Sequence, residues 1–403
     1  MTTFTDSSLD RSRRVASGFG FPFALISVSL IHRPGIAAYN STVEILLASL
    51  LVALFAYLLL KCHQRGTKIG IIFWLTFALR ISTFLQTLIS SREGLLSWLS
   101  DSASLLTLAL LVSIYSQEGR TRELIRAITY VLIAYSAINT LTVLLWSTGE
   151  VRESTVFFLG IRTSITATVL CSLVLSLLLS ALDRKIVTGR DLVALLLASF
   201  SFLALDVSTG LVALAPIMLF YIARILGAKH LFFSPTLIAV FAILLNLAVI
   251  LLRVQDRFGF LIQDILGRDL SLTGRTRIWD IAIEKISQRP ITGHGQAPFG
   301  GSFVEMNGVL WPAHSALLQV TYEGGLLALL VLFIIIIYAT HSVSKSSINQ
   351  IYKNVYAISL GTLLVISTTG SAIISIPAMT LLLIGIASKE VNNPEILDSH
   401  SGV

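Results

Sequence analysis

The groups in this chain best suited to chemistry on an anion are a pair of arginines, Arg275 and Arg277, and a histidine further on, His314. The arginines follow Thr273-Gly274, and apolar residues then recur at helical spacing through Ile278, Ala282, Ile283 and Ile286, with Trp279 alongside, until Pro290. The pattern predicts a helix whose first turn presents both arginines, with Lys285 and Arg289 towards its end. Guanidinium groups hold phosphate oxygens bidentately and stay charged at any relevant pH. A helix N-terminus adds partial positive charge at the same place. The same arginines would equally hold a surface helix on anionic lipid headgroups. His314 closes Trp311-Pro312-Ala313-His314, and Pro312 sets the approach to a following helix, so His314 is expected in its first turn. A histidine there can cap the helix, but it is also the side chain whose ordinary pKa permits proton transfer near neutrality. Between the two lies a glycine-rich section, Gly293-His294-Gly295 and Gly300-Gly301, able to approach a ligand closely.

The elements that must position these residues are membrane helices. The chain has 403 residues, of which 55% are hydrophobic and 13% charged, with a mean hydropathy of +0.84. Soluble domains carry about 25% charged residues, so an ordinary cytoplasmic enzyme is excluded, and so is a solvated disordered chain. Measured against the roughly 20 apolar residues that cross a bilayer, the sequence gives twelve candidate spans. They run 17–32, 43–61, 69–89, 95–116, 124–146, 157–182, 191–206, 208–226, 235–253, 315–339, 354–370 and 372–388. The expected fold is thus an all-α integral membrane protein of about twelve transmembrane helices, one polytopic domain over 1–403. Residues 254–314 form one long connection, a length that usually marks function rather than spacing, with short helices over 258–266 and 275–289. The polar tail 390–403 reads as disordered. Cys62 and Cys171 make no disulfide or metal pattern.

The basic residues orient this map. Arg11, Arg13 and Arg14, then Lys61, Arg65 and Lys68, Arg120, Arg122 and Arg126, Arg184, Lys185 and Arg190, Arg224 and Lys229, Lys345 and Lys353, and Lys389 fall on alternate connections. The short connections between them carry one each, Arg33, Arg92 and Arg152. The positive-inside rule therefore predicts both termini in the cytoplasm and the 254–314 loop outside. A charge at a helix centre costs about 2.5–3.5 kcal/mol on insertion scales, so Arg80 near mid-span, and Asp101, Arg162, Asp206, Arg253 and Glu323 towards the outer ends, need an account. They are either snorkelling or structurally paired residues, such as Arg80 with Asp101, or together they line a polar cavity open to the outside.

Several strings carry a family resemblance. Leu272-Thr273-Gly274-Arg275-Thr276-Arg277-Ile278-Trp279, then Pro290-x-x-Gly293-x-Gly295, then Ala313-His314-Ser315-x-x-Leu318 and Gly324-Gly325-Leu326 resemble the bacterial O-antigen ligase and O-antigen polymerase superfamily, and in motif look most like exopolysaccharide polymerases. The resemblance implies a C-type glycosyltransferase on the outer side of the bacterial cytoplasmic membrane. It would take a glycan from undecaprenyl diphosphate to another glycan in a polymerase, or to the lipid A core of lipopolysaccharide in a ligase. By resemblance, Arg275 holds the leaving diphosphate, His314 acts on the acceptor hydroxyl and Arg162 is the cation near an earlier outer helix end; Arg277, Arg80 and Arg253 are further candidate substrate-binding cations. Ser315 stands where the family usually has asparagine, and Asp206-Val207-Ser208-Thr209-Gly210 where many relatives have a Ser-Arg pair.

The residues suit that reaction. Fixed cations stabilise charge growing on a leaving diphosphate, and a general base typically contributes about 10²–10⁴-fold. The loop shows no Asp-rich metal cluster and no obvious carboxylate nucleophile, so the expectation is a metal-independent, inverting displacement without a cofactor. A flippase or chain-length regulator would be a natural partner; nucleic acid is not expected. A secondary transporter is the principal alternative, because twelve spans with both termini inside is a common carrier plan, although repeated halves typical of carriers are not visible.

Overall fold

A computed structural model of the chain describes residues 19–36, 40–90, 92–146, 155–161, 164–227, 231–254, 274–296, 302–306, 308–370 and 372–389. Thirteen α-helices lie in these residues. They are α1 Phe21–Ile31, α2 Ser41–Arg65, α3 Ile71–Ser90, α4 Arg92–Gln117, α5 Thr121–Trp146, α6 Ile165–Leu182, α7 Gly189–Ala204, α8 Ser208–Ile225, α9 Pro235–Leu252, α10 Arg275–Gln288, α11 Ala316–Lys345, α12 Gln350–Ile366 and α13 Ile376–Ala387. Two antiparallel hairpins accompany them, β1 Val156–Phe157 with β2 Gly160–Ile161, and β3 Val304–Met306 with β4 Val309–Trp311.

Each of the twelve apolar spans contains a helix, and the thirteenth helix, α10, covers the segment expected from Arg275 onwards. Eight helices are long and apolar enough to cross a membrane: α2 to α6, α8, α9 and α11. Helices α1 and α13 are apolar but shorter, and α7 and α12 have 16 and 17 residues. One start differs from expectation. The span expected from 157 begins at Ile165, because 156–161 turn back as a hairpin, which continuous apolarity alone does not distinguish from helix. The 258–266 helix and the 390–403 tail fall outside the described residues.

Burial sorts the helices. Most of α6 and nearly all of α13 are buried, whereas α2 is almost entirely at the periphery. Large apolar side chains such as Leu145, Leu196, Leu237 and Phe241 stay exposed on helix faces, as lipid-facing residues do and water-facing ones in this number do not. Connections gather at two ends. At one, Arg65 pairs with Glu118 (3.2 Å), Arg120 with Glu123 (2.6 Å) and Arg122 with Asp183. There Gln117 also donates to the Lys68 carbonyl (2.7 Å) and Asn349 to that of Ala181 (2.8 Å). At the other end, Arg33 pairs with Asp101 (3.2 Å), Ile36 N–H donates to Phe158 (3.1 Å) and Ala316 N–H to Ser367 (3.0 Å). These are the two sets that the basic residues separate. Cys62 and Cys171 are buried and unbonded.

The feature that brings the loop into the bundle is a break in α11. Gly325 has φ 65 and ψ −166 inside that helix, so neighbouring backbone groups lose their i to i−4 partners. Residues 290–295 supply replacements. His294 N–H donates to the Tyr322 carbonyl (2.7 Å), Gly295 N–H to Glu323 (2.9 Å), and Leu326 N–H to the Pro290 carbonyl (2.8 Å). Irregular backbone within an apolar bundle persists only when other groups of the protein satisfy it in this way. The approach requires glycine on the incoming strand. A Cβ on Gly293 would lie 2.5 Å from the Gly325 nitrogen, and one on Gly295 would lie 2.5 Å from the Thr87 nitrogen of α3. Both also have positive φ. The Gly293-x-Gly295 pair is thus a wedge between α3 and α11, and the break at Gly325 is where it seats.

Gly293→Ala therefore adds a backbone collision to a left-handed φ, whereas Gly66→Ala, at φ 63 with open space around it, adds only the second. The second costs about 1–2 kcal/mol, and overpacking adds roughly 1–3 kcal/mol. The unfolding midpoint in detergent should fall more for G293A than for G66A; equal shifts would contradict the wedge.

Candidate active site at the junction of α10 and α11

Helix α10 starts as the sequence requires. Gly274 caps it with φ 80, and Arg275 is its first residue. Its apolar face forms a second core of its own: Ile278, Trp279 and Ala282 bury against Ile250 of α9, Phe303 and Val304 of the β3 strand region, Ala313, and Leu318 of α11. This cluster seats the arginine-bearing turn on the ends of α9 and α11. Arg253 reinforces the seat. It ends α9 in a left-handed conformation (φ 52), donates to the Thr276 carbonyl (3.1 Å), pairs with Asp280 and lies over the Trp279 ring (5.3 Å).

His314 stands two residues before α11, not in its first turn, because Ser315 is the N-cap and the helix begins at Ala316. Its φ is +48, a region that costs a non-glycine residue about 1–2 kcal/mol. The half-buried ring lies 6.0 Å from Trp311. Burial, and secondarily the charge of Arg275, lower its pKa from 6.5 to about 4. Two consequences follow. The imidazole is neutral at physiological pH, the form that accepts a proton. And Arg275 is close enough to act on it, so the two residues expected to be catalytic share one site.

The remaining expected cations divide. Arg253 flanks the same turn as Arg275. Arg277 is exposed on the outside of that turn. Arg162 lies outside the described residues. Arg80 belongs to a second polar cluster. Its Nε donates to Ser102 (2.8 Å) and its Nη2 to Gln296 Oε1 (2.5 Å), with the guanidinium 5.7 Å from the Trp98 ring. Gln296 then donates to Asp101 (2.6 Å) and Ser97 (3.1 Å), and its backbone N–H to Thr87 (2.8 Å). The expected pairing of Arg80 with Asp101 is made through this amide, and Arg33 takes the other Asp101 oxygen (3.2 Å). Gln296 was not among the expected site residues; its signal is its place directly after Gly293-x-Gly295, the first polar group delivered by the wedge. A flat stack beside it joins loop to helix, with Tyr322 between His294 (4.7 Å) and Phe303 (3.5 Å). Among the described residues no group of three or more His, Cys, Asp or Glu could hold a metal ion.

Residues 192–333, from α7 to mid-α11, match the family model described as O-antigen ligase. The match supports the O-antigen ligase and polymerase superfamily. The segment contains Arg253, Arg275, Arg277, Gln296 and His314, so the residues gathered by the geometry lie inside the matched part. The family indicates an O-antigen ligase- or polymerase-like membrane glycosyltransferase. No curated protein and no solved structure matches the chain.

Two outcomes are expected. Gln296→Leu takes an acceptor from the part-buried Arg80 guanidinium and removes its link to the half-exposed Asp101 carboxylate, at a cost of about 1–2 kcal/mol; it should lower the unfolding midpoint and expose 290–296 to protease, and unchanged proteolysis would contradict the bridge. Second, the folded pKa of His314 lies below its ordinary value, so between about pH 6.5 and 4 the unfolded chain binds the extra proton. Its contribution to stability is full above about 6.5 and is lost as pH falls towards 4. The acid limb of kcat/KM, which reports the free enzyme, should accordingly lie near pH 4, and a limb at 6.5 would contradict a buried neutral base.

Proposed function

We propose that this protein is a membrane glycosyltransferase acting at the outer face of the bacterial cytoplasmic membrane, which passes a glycan from undecaprenyl diphosphate to a saccharide acceptor during surface-polysaccharide polymerisation. The observation that carries this reading is the turn before α11 that holds His314 within electrostatic reach of Arg275 at the start of α10, both inside the segment matched to the O-antigen ligase family. The alternate distribution of basic residues supports the outward placement of this site.

In this reading the acceptor hydroxyl oxygen attacks the anomeric carbon as the carbon–oxygen bond to diphosphate breaks. The electron pair leaves with the diphosphate, and the hydroxyl proton passes to the imidazole of His314. Arg275 and the N-terminus of α10 hold the growing negative charge, with Arg253 behind the same turn and Arg277 at its rim. Arg80 serves at one remove, by docking the 290–296 wedge through Gln296. Direct displacement inverts the anomeric centre, and cations of the chain take the part that a divalent ion plays elsewhere. Ligation to lipid A core is the second reading, favoured by the description of the matched family as O-antigen ligase.

Replacing His314 by alanine should lower transfer by about 10²–10⁴-fold, and Arg275→Ala by a comparable factor of about 10²–10³, with membrane insertion retained. Long-chain glycan persisting in both variants would reject the assignment. Purified protein supplied only with lipid-linked repeat units should build a ladder of lengths; reaction only after addition of lipid A core would replace polymerisation by ligation.

A further inference from the structure

His314 holds a left-handed backbone conformation (φ 48), and such a residue keeps its geometry only where its neighbours over-determine it. Gln319 of α11 does this from both sides. Its side-chain Oε1 accepts the Ala313 N–H (3.1 Å), and its backbone N–H donates to the Ser315 carbonyl (2.9 Å). The residues immediately before and after His314 are thus tied to one residue, Ala313 through a side chain that is 3% exposed, where water cannot replace it, and Ser315 through the first backbone bond of α11.

An amide has a donor end and an acceptor end, and the clamp works in only one orientation. Glu323, one helical turn on, sets it. Its carboxylate offers acceptors and takes the Gln319 Nε2 at 2.8 Å, which turns Oε1 towards Ala313. The Glu323 carbonyl in turn accepts the Gly295 N–H (2.9 Å), so the clamp is anchored to the wedge that crosses the α11 break. We propose that Gln319, oriented by Glu323, is the positioning residue that fixes the His314 imidazole relative to Arg275. This inference rests on the reading above, in which His314 receives the acceptor proton.

The test uses the full chain in detergent or liposomes. Q319E keeps the acceptor for Ala313 but sets two carboxylates face to face, so in assays on the alkaline side, where the pair does not share a proton, the orienting bond is lost. The double variant Q319E/E323Q restores the wild-type net charge and a matched donor and acceptor, in reversed direction. Q319E should lower kcat roughly 10–100-fold, the scale of an ångström-level misplacement, with the KM for donor changed less than about twofold. The double variant should recover most of that loss. Wild-type kcat in Q319E, or a double variant no better than Q319E, would overturn the proposal. A second readout needs no catalysis: carbethoxylation of His314 by diethyl pyrocarbonate, followed on its peptide by mass spectrometry. Its rate should rise in Q319E and return in the double variant, and an unchanged rate in Q319E also overturns the clamp. Should the wild-type protein transfer no glycan, the functional reading fails while the labelling rates still decide the clamp.

Discussion

Backbone hydrogen bonds have no substitute in an apolar bundle, and the break at Gly325 makes that constraint local. A helix broken there must find partners for its released N–H and C=O groups, each of which is costly to leave unmade. Here the partners come from 290–295, a segment otherwise free to lie anywhere over the bundle. The break therefore fixes residues 293–296 of the long connection against the bundle. Everything bound to that segment follows it: His294 on Tyr322, Gln296 between Arg80 and Asp101, and the Glu323 carbonyl on Gly295.

From this fixed point the site is assembled by two different kinds of force. Dispersion and burial around Trp279 seat α10, an interaction with little directional demand. Directional bonds then set the histidine, through Gln319 on one side and the α11 cap on the other. The first brings Arg275 to the region, and the second decides the angle at which His314 meets it. Neutrality of that histidine is a by-product of the same packing, since burial contributes most to lowering its pKa.

The sequence reveals the helices well because bilayer length and hydropathy are local properties: all twelve apolar spans contain one, and α10 begins and ends where Gly274 and Pro290 place it. It also brings Arg275 and His314 forward, as chemistry-bearing residues at the two ends of one connection. The 156–161 hairpin escapes notice because a short apolar strand and a helix start look alike in hydropathy. Gln296 and Gln319 escape for another reason. An uncharged amide leaves no mark in a charge map, and the groups that give Gln296 its role, Arg80 and Asp101, are 216 and 195 positions away in sequence. Glu323 does stand out as a charge within a span, and its spacing of four from Gln319 is the one local hint of the clamp.

The burial of both native thiols has a practical meaning. Cys62 and Cys171 are enclosed by packed helices, so neither offers a ready target for a membrane-impermeant maleimide applied to intact cells. A single cysteine introduced at an exposed position such as Arg277 would stand alone against that silent background. Wild-type protein could then serve as its own blank, and the side of the bilayer on which the α10 turn resides could be read without first constructing a thiol-free chain.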